Sequence, residues 1–591
     1  MNLSAIYHRS LDNYCYCLND DTIIISIRTG YDVDKVTLFH SDPFQAGLMG
    51  GNHRLKGTKL IMKEVKELEN HLIWSASVKP EFKRLAYYFL IESGSEQYYM
   101  YEDNFYTVDA AKSYKGRQQM FTFPWMNPSD IIRTPKWVND TVWYQIFVER
   151  FCNGNPAINP KNVKPWRAPD KSVHYNDYFG GDIPGITNKM DYLSELGITG
   201  LYLTPVCKGR SNHKYDTISY TKLDPHFGTD EDMAEMVRCA HDHGIRVMMD
   251  GVFNHCGEFF KPWQDVLKKG PDSKYFDWFL INKWPFSTIG TNAKNGNYYS
   301  FAFVDMMPKL NTNNPKVIRY ILKVLTSWIT KYDIDGIRLD VASEISHNLC
   351  QQIHSTLKAL KPDFYILGEV WHDSMPWLRG NEFDSVMNYV FTDSINDFWM
   401  YDNKTAKDFE HAINRCFSMY PQQINSVLFN LLDSHDTIRL ITKLKSLSKF
   451  YQQLSVLFTM PGTVCIYYGT EIAIEGGHDP DCRRCMPWDL IAKGEYYDKI
   501  SVVKKLIALR KQFPALRSNH YQFTHISHNP RVISYMREDN AGNKIMVVIN
   551  CSNEDIDLNI KKKHILFSID YHDKVLASDG VAIYQLTTGR S

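Results

Sequence analysis

Gly200-Leu201-Tyr202-Leu203-Thr204 and Arg246-Val247-Met248-Met249-Asp250 are two short apolar runs, and the segment between them reads as one amphipathic helix. Thr229 is a capping residue at its start, Met233, Met236, Val237 and Ala240 share one face, and Gly244 stops it just before the second run. Strand, helix and strand in that order, with both strands apolar throughout, is the pattern of a buried parallel β/α unit.

Working outward from this unit, the same alternation continues. Strand candidates precede it at Val142-Trp143-Tyr144-Gln145-Ile146-Phe147 and follow it at Gly336 to Leu339, Phe364 to Leu367, Ser385 to Met387, Ser426 to Phe429 and Val464 to Tyr468. One intervening helix is expected from Asn314 as cap, Pro315 at the first helical position, and Val317, Ile318, Ile321, Leu325 and Trp328 on one stripe. Eight strands predict a (β/α)8 TIM barrel, whose chemistry resides on the loops at the strand C-terminal ends. The stretch from Cys256 to Asn311 shows no clear helical period and reads as an irregular insertion after the third strand, of the kind that is usually functional. Before the barrel, β-branched and aromatic runs such as Thr22 to Arg28, Lys35 to Phe39, His71 to Val78 and Leu85 to Ile91 predict a β-sandwich. Pro124, Pro128 and Pro135 mark a linker. Beyond about residue 520, Val532 to Met536 and Lys544 to Ile549 flank a turn and predict an all-β domain. The expected layout is therefore 1–123 sandwich, 124–255 with 312–519 barrel, 256–311 insertion and 520–591 C-terminal domain.

Lys+Arg and Asp+Glu both number 67, so the formal charge is zero and neither nucleic acid nor an anionic membrane is an expected partner. The expected partner is uncharged. Aromatic residues reach 14% and serve either as core mass or as flat platforms for sugar rings. No basic stretch leads into an apolar one at Met1 to His8, no run of about 18 apolar residues occurs, and the 12 cysteines are scattered, which together read as a cytoplasmic protein with reduced thiols. Cys482 and Cys485 have CxxC spacing without a second pair, so buried or idle thiols are expected rather than zinc.

Carboxylates normally face water, so those that end apolar strands stand out. Asp250, Asp340 and Glu369 end strands three, four and five, and Asp436 follows strand seven. Arg338 lies two residues before Asp340, on the same side of its strand, and is expected to hold Asp340 ionised as a nucleophile. Glu369, beside another carboxylate and partly buried, is expected to be the neutral general acid. Such a pair about 5 to 5.5 Å apart is the machinery of a retaining glycosidase. His255 and His435 read as donors to sugar hydroxyls; no zinc-ligand spacing surrounds them.

These four segments resemble the signature regions of the α-amylase superfamily. Met307-Pro308-Lys309-Leu310-Asn311 is similar to a further signature of its neopullulanase, cyclomaltodextrinase and maltogenic amylase group. Tyr144 to Phe147, Phe179-Gly180-Gly181-Asp182 and His213 to Thr217 extend the likeness. The resemblance implies that Asp340 is the nucleophile, Glu369 the acid/base and Asp436 a transition-state stabiliser. It implies Arg338, His255, His435 and Asp250 around one sugar, Tyr215 stacked beneath it, Asp479 and Arg483 as a clamp, Trp371 on the leaving-group side and Glu344 toward the acceptor. Ser343 stands where the group usually has Asn. No cofactor is required. Some relatives bind calcium through residues matching Asn153, Asn155, Asn159, Gly180 and Asp182, but Asn155 and Asn159 replace aspartates here, which leaves a weak calcium site open. The N-terminal domain either binds glucan or, as in similar enzymes, builds a homodimer. The implied activity is hydrolysis of α-1,4 bonds in cyclodextrins, pullulan or maltooligosaccharides, with transglycosylation, a glucan transferase or isomerase, or an inactive glycan-binding relative as alternatives. An inactive relative is expected to have lost one of Asp340, Glu369 and Asp436, and all three are present.

Overall fold

The computed structural model describes residues 1–45, 57–114, 118–166, 171–286, 290–558, 560 and 564–586. The chain forms two compact units: residues 1–133 with 378–380 and 394–425, and the remainder.

In the first unit, a sheet ordered 15–17, 23–29, 72–78, 64–67 faces a second built around 35–41 and 85–93. Alternate residues of the two sheets meet in one core: Ile23, Ile25, Ile27 and Trp74 pack with Leu38, Tyr87, Phe89 and Ile91. This is the expected sandwich. Residues 394–425, read from sequence as part of the barrel, belong to this unit because their polar side chains bond to its strands. Asn414 Nδ2 donates to the Glu67 carbonyl at 2.9 Å and Gln423 Nε2 to that of Cys17 at 2.7 Å.

The second unit holds the barrel. Its strands are β1 (Val142–Ile146), β2 (Gly200–Leu203), β3 (Arg246–Gly251), β4 (Gly336–Leu339), β5 (Tyr365–Gly368), β6 (Ser385–Val386), β7 (Phe429–Asn430) and β8 (Thr463–Tyr467). They pair in parallel in the order β6-β5-β4-β3-β2-β1-β8-β7, and a parallel bridge from Met387 to Phe429 joins the two ends. Trp143, Tyr202, Met248, Tyr365, Leu367, Phe429 and Cys465 fill the interior, so the barrel is a packed core. Thr229 and Asp232 form the capping box of the Asp230–Asp242 helix, and Asn314 caps Pro315–Tyr332.

The insertion is pinned at its base. His255 bridges Lys309, and the Leu310 N–H donates to the Asn254 carbonyl at 3.0 Å. It does contain a helix, Lys261–Lys269, which the sequence reading missed although Trp263, Val266 and Leu267 stand at helical spacing, because nine residues repeat that spacing only once. At the C-terminal end, 532–538, 544–550 and 575–585 form the antiparallel centre of a six-stranded sheet.

The N-terminal mouth of the barrel is tied by Asp335, 2% exposed, just before β4. It accepts from Val247 N at 2.9 Å, His241 Nε2 at 2.7 Å, Arg246 Nη1 at 2.9 Å and Lys361 Nζ at 3.0 Å. Burial alone pushes this carboxyl up, but the His241, Val247 and Lys361 donors overcome it and hold it well below its ordinary value. A depressed carboxylate contributes stability above its unfolded value, about pH 4, and loses it as the pH falls toward the folded value. Asp335→Asn is therefore expected to destabilise the fold by about 3 kcal/mol at neutral pH. In thermal unfolding across a pH series, the gap from the unsubstituted protein should narrow below about pH 4; a gap independent of pH would remove this role.

Candidate active site

Parallel register decides which side chains meet. Asp250 on β3 is the direct partner of Arg338 on β4, and Arg338 in turn of Leu367 on β5. Arg338 and Asp340 point the same way, and the ladder continues past the strand ends: Asp340 N–H donates to Gly251 O at 3.1 Å and Glu369 N–H to Leu339 O at 3.0 Å. Three carboxylates from adjacent strands thus converge on one guanidinium.

Arg338, 1% exposed, is the hub. Its Nη1 lies 3.0 and 2.9 Å from the two Asp250 oxygens and 2.8 Å from Asp340 Oδ1, while Nη2 lies 2.8 Å from Glu369 Oε2. Asp250 is tied further by the hydroxyls of Tyr202 at 2.8 Å and Tyr215 at 3.0 Å, so it anchors the arginine rather than facing the cleft. Asp340 keeps Oδ2 buried with no hydrogen-bond partner among the described residues. An orphaned buried oxygen is costly and marks a position reserved for something else.

At Asp340 the balance of burial and charge differs from the expected one. Burial pushes Asp340 well above the usual carboxylate range; Arg338 opposes this, and Glu369 and Asp250 reinforce it. Arg338 cannot hold Asp340 alone ionised, because its single positive charge is divided among three acids. Glu369 accepts from Arg338, from Val341 N–H at 2.7 Å and from Trp371 Nε1 at 3.1 Å. Val341 presents that N–H from a left-handed backbone, φ +46, an unfavourable conformation for a β-branched residue that here sits directly after Asp340.

The histidines are neutral. Burial lowers His255 to about 3, and burial with Arg483 and Arg338 lowers His435 well below its ordinary value. His255 Nδ1 is 4.0 Å from Asp340 Oδ2, its Nε2 has no partner among the described residues, and its ring stacks on Phe301. Gln145 Nε2 donates to His435 Nδ1 at 2.7 Å, which leaves the ring proton on Nε2, where the Tyr215 hydroxyl accepts it at 2.6 Å with Asp436 Oδ2 3.2 Å away. The Tyr215 ring stacks parallel on His435, with centroids 5.4 Å apart. Arg483 links the far side, reaching Asp479 at 2.8 Å, Asp436 at 3.5 Å and the His435 carbonyl at 2.9 Å. Cys482 and Cys485 are buried, and the Cys482 thiol donates to the same carbonyl.

Trp371 is 50% exposed and lies flat on Tyr389, with ring centroids 3.5 Å apart at 5°, so its outer face is open beside Glu369. Glu344 is exposed and pairs with Lys309 at 2.8 Å. Residue-by-residue reading missed Gln145, Tyr202, Lys309 and Tyr389 as parts of this network. Gln145 carried a signal, a polar side chain inside an otherwise apolar strand; Tyr202 and Tyr389 read only as core.

Asn153, Asn155, Asn159, Gly180 and Asp182 also come together. Asp182 accepts from the N–H groups of Gly154, Asn155 and Gly185 at 3.0, 2.8 and 2.6 Å. Asn153 Nδ2 donates to Asn159 Oδ1 at 3.1 Å and Phe179 O at 3.3 Å. Gly180, φ +82, is needed there: an added Cβ would lie 2.3 Å from Asn159 Oδ1. The single carboxylate caps a helix and the other side chains are neutral amides, less charge than calcium takes, while Asn153 Oδ1 is buried with no hydrogen-bond partner among the described residues.

The sequence matches the model "Alpha amylase, catalytic domain" over residues 145–513 and "Alpha amylase, N-terminal ig-like domain" over 1–127. It is 44% identical to a cyclomaltodextrinase of Geobacillus thermopakistaniensis over 94% of this chain and 92% of that protein. It is 40% identical to an intracellular maltogenic amylase of Bacillus subtilis over 91% and 89%. A solved cyclomaltodextrinase superposes with a TM-score of 0.87 at 36% identity, covering 99% of this chain and 98% of that one. The chain therefore belongs to the alpha-amylase family and is a glycoside hydrolase of the cyclomaltodextrinase, maltogenic amylase and neopullulanase type.

Proposed function

We propose that this enzyme is a retaining hydrolase of α-1,4-glucosidic bonds in cyclodextrins, pullulan and maltooligosaccharides, acting through a covalent glycosyl-Asp340. The observation that carries the reading is that Asp340 and Glu369 each lie 2.8 Å from the same buried guanidinium, so both address one bond. Asp340 Oδ2, the oxygen without a partner, attacks the anomeric carbon while Glu369 gives a proton to the departing glycosidic oxygen. Water then attacks the same carbon, Glu369 takes its proton, and the Asp340–carbon bond breaks.

The first step needs the cluster's proton on Glu369 and a bare Asp340. In the ligand-free arrangement burial favours the reverse at Asp340. A docked glycosidic oxygen gives a proton on Glu369 an acceptor, and positive charge growing at the anomeric carbon favours the Asp340 anion, so substrate itself sets the reactive pattern. Neutral His255 and His435 suit this chemistry, because they place no cation opposite the developing oxocarbenium, and His255 Nε2, without a partner among the described residues, can meet a sugar hydroxyl. Asp436 and the Asp479–Arg483 pair grip the distorted sugar. Glu369 closes against Trp371, whose open face offers a platform for an acceptor sugar in place of water, and transglycosylation follows from that.

No helix among the described residues is long and apolar enough to cross a membrane. With the name of the Bacillus subtilis relative, this supports a cytoplasmic location. The N-terminal domain is proposed to form a homodimer, which sedimentation of the full chain tests directly.

Incubation with β-cyclodextrin, pullulan and soluble starch in parallel separates the substrates. Proton NMR of the first products should show the α anomer; an initial β anomer would refute retention. Asp340→Asn is expected to lower kcat by on the order of 10^4, with thermal stability unchanged or raised because one of three acids crowding Arg338 becomes neutral. Substantial residual turnover would count against its role. Trp371→Ala should lower kcat/KM for oligosaccharides by up to about tenfold and reduce the share of transfer products, whereas Trp371→Phe should retain most of both; equal losses in the two variants would exclude a platform.

A further inference from the structure

A second cleft of about 480 Å³ lies in the barrel unit, lined by Lys161, Tyr178, Lys208, Arg210, Lys214 and His226 among others. Its volume suits a small molecule. The chain as a whole carries no net charge, yet this wall concentrates cations. Two of them have acidic partners: Lys214 pairs with Asp224 at 2.8 Å and Arg210 with Glu258 at 3.2 Å. Lys161 and Lys208 have no ion pair among the described residues, and both are exposed. The cleft therefore offers two uncommitted ammonium groups from different segments, facing one space beside two further cations.

Tyr178 and His226 fix its walls. The Tyr178 hydroxyl donates to Arg210 O at 2.6 Å, and His226 Nδ1 donates to Ile158 O at 2.8 Å. Gly209 N–H donates to Asp224 Oδ2 at 3.2 Å, so Asp224 ties the Cys207–Gly209 strand to Lys214. Lys214 in turn holds a left-handed backbone, φ +62, immediately before Tyr215. Lys208, Gly209, Arg210 and Lys214 of the cleft thus share one hairpin with Tyr215.

We propose that this cleft binds a phosphate group, either the free ion or one carried by a small sugar. A tetrahedral dianion matches the exposed Lys161 and Lys208 ammonium groups arriving from different segments, while the one lining carboxylate, Asp224, is already neutralised by buried Lys214. A neutral glucan lacks the charge this wall would recognise.

Titration calorimetry of the full chain with inorganic phosphate and with glucose 6-phosphate, using glucose and sodium chloride at matched ionic strength as controls, tests this. Saturable binding of one or both phosphate compounds is expected, with no binding of glucose; tighter binding of the sugar phosphate identifies a phosphorylated sugar, and equal binding the free ion. The Lys161→Ala, Lys208→Ala double variant should hydrolyse maltooligosaccharides normally without phosphate and bind about tenfold more weakly. The proposal is overturned by absence of saturable binding, by equal affinity in the double variant, or by sodium chloride reproducing the signal, which would show ionic screening only.

Discussion

A single buried cation serving three carboxylates is the constraint on which the site depends. Removing Arg338 would leave Asp250, Asp340 and Glu369 as buried acids without a counter-charge, an arrangement that costs several kcal/mol. With it in place, the charge is still insufficient for all three. The cluster is thus short of positive charge; in the proposed mechanism a substrate that develops positive charge at its anomeric carbon makes up the deficit, which would turn an electrostatic imbalance in the free protein into transition-state stabilisation.

The imbalance is held in place by strand register. Asp250 opposite Arg338, and Asp340 and Glu369 one step beyond the paired ends of β4 and β5, follow from the parallel ladder, and no loop has to fold correctly for them to meet. Loops supply the rest: Tyr215, His255, Asp436 and the Asp479–Arg483 pair arrive from segments beyond the strand tips. The local backbone at Val341 is strained for the same reason. Its N–H must turn back toward Glu369 directly after Asp340 leaves the strand.

Much of this was legible in the sequence because strands carry it. Apolar runs ending in Asp250, Asp340 and Glu369 could be placed at one rim before any coordinates, and the barrel and flanking β domains followed from period and composition. Three things were not legible. The proton pattern depends on Arg338 reaching Glu369 as well as Asp340, a contact between neighbouring strands that spacing within one strand cannot reveal. The partnership of residues 394–425 with the N-terminal unit rests on amide side chains meeting backbone carbonyls, which leaves no periodic trace. The Lys261–Lys269 helix repeats its spacing, Trp263 with Val266 and Leu267, only once. The residues matching a calcium site lie together, with Asn155 and Asn159 supplying amides where aspartates would supply charge.

The most direct measurement of the central claim is peptide mapping by mass spectrometry of the Glu369→Gln variant after reaction with an activated glucosyl fluoride. The leaving group then needs no acid, and release of the adduct is slowed because no base remains at position 369. One hexosyl unit is expected, attached to the peptide containing Asp340. Accumulation of free glucose without an adduct, or label on any other residue, would contradict it.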